Sequence, residues 1–124
     1  MKQISTGSPY EATIGYSRAI VKGGWCFMSG VTGYDYATMQ MPEMIADQAR
    51  NCFVTISAVL TEAGFEMADI VRVQYTLVAP ELLDALAPAL VEALGHIRPA
   101  ATMVIAGLIR PEMKVEIEVT AFRG

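Results

Sequence analysis

Between Pro42 and Leu77 the hydrophobic period of the chain changes once, near Gly64, and that change limits the possible folds more than any other feature. From Pro42 to Ala63 the residues Ile45, Ala49, Cys52, Phe53, Ile56, Val59, Leu60 and Ala63 recur at three- and four-residue steps. This is the spacing of an amphipathic helix, and Gly64 is a natural stop for it. From Ile70 to Leu77 the period falls to two: Val71, Val73, Tyr75 and Leu77 alternate with Ile70, Arg72, Gln74 and Thr76. That alternation predicts a strand with one apolar face. A helix followed directly by a half-apolar strand calls for a helix layer packed on a sheet.

The remaining segments extend the pattern. Residues 1–17 read as an irregular or extended lead-in punctuated by Gly7, Pro9 and Gly15. Arg18 to Lys22 and Trp25 to Ser29 read as a hairpin around Gly23-Gly24, with both glycines free to take positive φ. A second helix is expected over Pro80 to Gly95, kinked or broken at Pro88, where the missing N–H costs about 3 kcal/mol. Ala101 to Leu108 and Lys114 to Phe122 are the last strands, and Val115, Ile117, Val119 and Ala121 share one face. The order is β-β-α-β-α-β-β: a single α+β domain over 1–124, a mixed sheet with two helices packed on one face. The other face combines Arg72, Gln74, Glu116 and Glu118 with aliphatic positions, a surface that further subunits commonly cover.

Composition narrows the function. The chain has 124 residues, 53% of them hydrophobic, enough for a real core. Nine Lys and Arg against 13 Asp and Glu give a net charge of −4, the opposite of a nucleic-acid footprint. No apolar run approaches the ~20 residues of a membrane span. The first residues lack the apolar core of a signal peptide, so a cytoplasmic protein without an anchor is expected. Cys26 and Cys52 lie in apolar stretches and read as reduced core residues, and one histidine, His96, cannot build a His-rich metal site. No metal or other cofactor is expected.

No phosphate loop, nucleophile elbow or Ser/His/Asp set is present. The polar residues left at strand ends are Tyr16, Ser29, Arg110, Glu116 and Glu118. Each has a plain structural reading beside a functional one. Ser29 before Gly30 reads as a turn-capping hydroxyl rather than a nucleophile, and Glu116 and Glu118 read as a solvated strand face unless the site uses them. His96 beside Gly95 suits a helix C-terminus, and Tyr75 and Trp25 suit a core or an interface.

Six segments together resemble one family. Gly15-Tyr16-Ser17-Arg18-Ala19, Phe27-Met28-Ser29-Gly30, Gln48, Leu60-Thr61-Glu62-Ala63-Gly64, Arg98-Pro99-Ala100 and Val115-Glu116-Ile117-Glu118-Val119 resemble the reactive intermediate deaminases (Rid, YjgF-like) in order and spacing, over nearly the whole chain. The resemblance implies a chorismate-mutase-like fold, a homotrimer, and small-molecule pockets between subunits. Active members hydrolyse enamine or imine intermediates, such as 2-aminoacrylate, to keto acids and ammonia. Residue by residue, the pocket tyrosine falls on Tyr16, the serine and glycine on Ser29 and Gly30, and the water-positioning glutamate on Glu116.

The arginine that clamps the substrate carboxylate in the family falls on Leu108, which has no donors to offer. Arg110 lies two positions further along, on the same face of a strand and roughly 6–7 Å away, and is the candidate replacement. The substrate-binding set expected from sequence is thus Tyr16, Ser29, Gly30, Leu108 and Arg110, with Glu116 catalytic. Two functions follow: hydrolysis of a small imine or enamine, or non-catalytic binding of a small metabolite by a sensor or scavenger trimer. RNA cleavage, attached to some relatives, is disfavoured by the acidic charge and the single histidine.

Overall fold

The computed structural model describes residues 1–124. Strands β1 (Lys2–Ile4), β2 (Ala19–Lys22), β3 (Trp25–Met28), β4 (Val31–Thr32), β5 (Ile70–Leu77), β6 (Ala100–Ile105) and β7 (Val115–Phe122) form one mixed sheet. Its order is β1-β2-β3-β7-β5-β6, with β4 also on β7. Only the β5–β6 pair is parallel. The core lies between this sheet and helices α2 (Ile45–Ala63) and α3 (Leu83–Leu94). Val115, Ile117, Val119 and Ala121 of β7 face Cys52, Ile56 and Leu60 within the same buried cluster, as the alternation predicts.

Helix α2 starts at Ile45 rather than Pro42, and Gly64 ends it in the left-handed conformation, φ +86°, donating its N–H to the last turn. Gln48, fully buried on α2, donates through Nε2 to Pro42 O at 2.8 Å and Glu112 O at 2.9 Å. Its Oε1 accepts from Lys114 N at 3.0 Å, so one amide pins the 106–114 loop to the helix. Every polar group of that side chain that burial would penalise is satisfied.

Four local expectations are corrected. The lead-in is extended only at β1, which pairs with β2; a short helix, α1 (Pro9–Ile14), follows, where the sequence predicts no regular element. Ser8 caps α1, Pro9 opens its first turn and Gly15 closes it at φ +87°, so residues read as breakers are in fact its boundaries. Secondly, α3 runs unbroken through Pro88 after a 3₁₀ turn at Pro80–Leu82. Pro88 lacks a bond only to Asp84, and both residues are exposed, so water can serve that carbonyl.

In the β2–β3 turn only Gly23 has positive φ, at +59°, while Gly24 is there for space: a Cβ on it would meet Arg123 O at 2.6 Å. Finally, a bulge between Ile70 and Arg72 resets the β5 alternation. Ile70 turns into the core at 3% exposure and Val71 turns out at 44%, the reverse of strict alternation.

Candidate functional site

A second irregularity builds the site. Along the β7 edge, Phe27 pairs with Thr120 and Val31 pairs with Ile117. Three residues, Met28, Ser29 and Gly30, therefore stand opposite two, Glu118 and Val119, and the strand bulges at Ser29-Gly30. Bulges of this kind release backbone from the ladder and re-aim side chains beside it. The bulge is held from behind: Ser29 N donates to Arg18 O at 3.0 Å, and Ser29 Oγ lies 3.1 Å from Ser17 O and 3.0 Å from Arg18 O. A hydroxyl committed to those carbonyls suits an anchor better than a nucleophile.

A cavity of about 230 Å³ opens over this bulge. Tyr16, Ser29, Gly30 and Glu116 all line it, so four sequence-derived candidates from three separate segments meet at one place. Tyr10 and Ile14 of α1, Thr32 and Tyr36 after the bulge, and Ile109 and Met113 of the loop before β7 complete the wall. Sequence reasoning named none of these six. Tyr10 and Ile14 were hidden by the misread lead-in, and the others carry no signal beyond being apolar or aromatic residues near a turn.

Glu116 sits on β7 opposite Thr32 on one side and Thr76 on the other. Its carboxyl lies directly over Gly30, where a Cβ would come within 2.5 Å of Cδ. Burial pushes this carboxyl above the ordinary carboxylate range, the charge of Glu118 adds to the rise, and the charge of Arg18 opposes it. A partly buried carboxyl with a raised pKa, facing a cavity, is a candidate acid–base group. Burial also raises the Tyr16 hydroxyl, with Arg18 acting against it.

Leu108 and Arg110 are not in this wall. Leu108 is half-buried in the loop after β6, and β6 itself ends at Ile105 rather than Leu108, so the same-face argument for Arg110 does not operate. Arg110 is exposed, with Nε donating to the Tyr10 hydroxyl at 3.3 Å and its guanidinium 5.8 Å from the Tyr10 ring centroid. It reaches the cavity only through Tyr10.

The cation nearest the bulge is instead Arg18, which sequence reasoning quoted but gave no role. It is 1% exposed, and its Nη1 donates to Ser29 O and Ser29 Oγ at 3.2 Å and to Gly30 O at 2.7 Å. A larger hollow of about 680 Å³ lies along α2 and α3 beside Arg50 and Glu92, and none of the sequence-derived candidates lines it. No three His, Cys, Asp or Glu side chains converge anywhere in the chain, and no helix is long and apolar enough to cross a membrane.

A mixed sheet with helices on one side and a tyrosine-walled cavity over a bulged strand on the other defines a YjgF-like α+β protein. The family model described as Endoribonuclease L-PSP matches residues 6–123, and the chain belongs to this family, the YjgF/Rid proteins. A crystal structure from Mycobacterium tuberculosis, described as a member of the YjgF/YER057c/UK114 family, is 32% identical, covers 98% of each chain and superposes with a TM-score of 0.89. RidA from an Antarctic Psychrobacter is 28% identical, with 99% of this chain and 100% of that one covered and a TM-score of 0.88. A RutC family protein from Pyrococcus horikoshii is 28% identical over 109 residues, 87% of this chain and 86% of the relative.

Proposed function

We propose that this chain hydrolyses a small enamine or imine in the cavity over Ser29-Gly30, with Glu116 as its acid–base residue. The observation that carries the reading is the Glu116 carboxyl, lining the cavity against Gly30 and raised in pKa by burial. Imine hydrolysis needs water added to the C=N carbon and a proton delivered to the departing nitrogen. Glu116 would hydrogen-bond the water, accept its proton as the C–O bond forms, and return it as ammonia leaves and the ketone forms. The raised pKa makes Glu116 a stronger proton acceptor for that step than an ordinary carboxylate.

The protein is expected to act as a homotrimer with the cavity at a subunit boundary. Strand β6 is the open edge of the sheet and is exposed from Ala100 to Ile105, with Ile109 beyond it 71% exposed. Trp25, Phe27 and Phe122 form a further exposed aromatic cluster, with Trp25 centroids 5.9 Å from Phe27 and 4.6 Å from Phe122. Bare edges and apolar patches of this kind are surfaces that partner subunits cover. Light scattering at three times the chain mass would support this, and a monomer would refute it.

The test of the chemistry generates 2-aminoacrylate and 2-iminobutanoate in situ with a serine/threonine dehydratase and follows keto-acid release. Acceleration by the wild type that is lost in Glu116→Ala supports hydrolysis. A second reading, non-catalytic binding of a small metabolite, is favoured by one observation: Leu108 stands where the family clamps a carboxylate and lies outside the cavity wall. Ligand-induced stabilisation without turnover would select it.

A further inference from the structure

Arg18 is an anomaly for a residue buried to 1% exposure. None of the three ion pairs in the chain includes it, so no carboxylate oxygen lies within 4.0 Å. Only Nη1 is engaged, on the Ser29 and Gly30 carbonyls and the Ser29 hydroxyl, while Nε is the one buried side-chain polar atom without a hydrogen-bond partner. An uncompensated buried cation costs several kcal/mol, and a well-packed apolar residue usually serves a core better. Core packing therefore does not explain this charge.

The surroundings of Arg18 point to the cavity. Its guanidinium carbon lies 5.7 Å from the Tyr16 ring centroid and 5.3 Å from that of Tyr36, and both rings line the cavity. Gly30 stands between the two charges of the site: its carbonyl accepts from Arg18, while its Cα lies under the Glu116 carboxyl. Arg18 and Glu116 form no direct ion pair, although the charge of Arg18 reaches the Glu116 carboxyl. Glu11, the other acid that feels Arg18, is occupied by Thr6, whose N and Oγ1 donate to Glu11 Oε2 at 3.0 and 2.8 Å.

We propose that Arg18 is the anion selector of this cavity, a fixed positive charge behind Tyr16, Tyr36 and the Ser29-Gly30 bulge that favours a small carboxylate-bearing ligand in place of the missing clamp. This rests on the small-molecule reading of the same cavity. Arg18 acts through the groups it holds and is a positioning residue. It orients the bulge and sets the potential in a partly desolvated space, where charge is screened less than in water. The ligand's acid group then lies against the Tyr16 and Tyr36 wall in front of Arg18, and its reacting carbon lies towards Glu116.

The probes are 2-oxobutanoate and its uncharged counterpart 2-oxobutanamide, titrated calorimetrically into the full chain. The wild type is expected to prefer the carboxylate by about tenfold or more, Arg18→Met to bring the two within about twofold by weakening the carboxylate alone, and Arg18→Lys to keep the preference. Equal weakening of both ligands in Arg18→Met marks a packing role and overturns the assignment. So does a wild type that shows no preference or binds neither probe. If Arg18→Met does not fold, the wild type and Arg18→Lys decide, and a folded Arg18→Lys without the preference counts against the charge. The keto-acid assay separates the two readings. Turnover without carboxylate preference removes Arg18 and leaves hydrolysis, whereas an Arg18-dependent preference without turnover leaves Arg18 and removes hydrolysis.

Discussion

The carboxyl of Glu116 rests on the Cα of Gly30 so closely that a Cβ there would lie 2.5 Å from Cδ and 2.7 Å from Oε1. The clashing atoms are the far end of a flexible side chain, so Gly30→Ala can be absorbed by swinging Glu116 aside. The variant is expected to fold with a stability loss under about 1 kcal/mol but to lose keto-acid release as fully as Glu116→Ala. Thermal melts and the dehydratase-coupled assay read the two effects; retained turnover would mean that the carboxyl position is unimportant.

Gly33 presents the opposite case. A Cβ on Gly33 would meet Gln48 Cβ at 2.5 Å and the α2 backbone atoms Gln48 Cα and O at 2.6 and 2.9 Å, none of which can swing away. Gly33→Ala should cost about 2–3 kcal/mol through forced separation of helix and strand. Denaturant unfolding would show this as a lower midpoint, and an unchanged midpoint would count against so tight an approach.

Gln48 should be equally intolerant for a different reason. Gln48→Leu preserves bulk but strands the Pro42 and Glu112 carbonyls and the Lys114 N–H. A loss of about 3 kcal/mol is expected, with weakened ligand binding because the loop it pins carries Ile109 and Met113. A variant as stable as the wild type would mean that water replaces the amide without penalty.

Two carboxylates should show pH dependences of opposite sign. The Glu116 pKa is raised, so between its unfolded value near 4.5 and its folded value the folded state holds a proton that the unfolded state has lost. Stability therefore falls as pH rises through that window and stays lowered above it. The melting temperature of Glu116→Gln minus that of the wild type should climb from its value near pH 4 to a plateau. Burial raises Glu11 too, but the Thr6 hydrogen bonds outweigh it and the net shift is downward. Its stabilisation is present above the unfolded value and lost as pH falls through the folded one, so the deficit of Glu11→Gln at neutral pH should vanish in acid. A pH-independent difference in either variant would contradict the shift assigned to it.

Arg110 is solvent-exposed against Tyr10, and exposed contacts of this kind contribute little. Arg110→Ala is expected to change carboxylate affinity by less than about threefold. A tenfold loss would return the clamp to Arg110 and weaken the case for Arg18.

The strand–helix grammar of this chain was legible because its causes are local. The three-and-four spacing of α2, its Gly64 stop and the alternation of β7 depend only on which residues follow one another, and they alone imply helices on one face of a sheet. The spacing of six short segments further marked the family and picked Tyr16, Ser29, Gly30 and Glu116 as a set.

Tertiary structure decided what local pattern cannot encode. Bulges at Ile70/Arg72 and at Ser29-Gly30 depend on which residue of a neighbouring strand each one faces, so register alone turned Ile70 inward and brought Glu116 over Gly30. The same holds for Arg18, which reads in sequence as an ordinary strand-start cation. Only the fold buries it without a carboxylate partner between two tyrosines, because burial and charge pairing are properties of distant segments brought together.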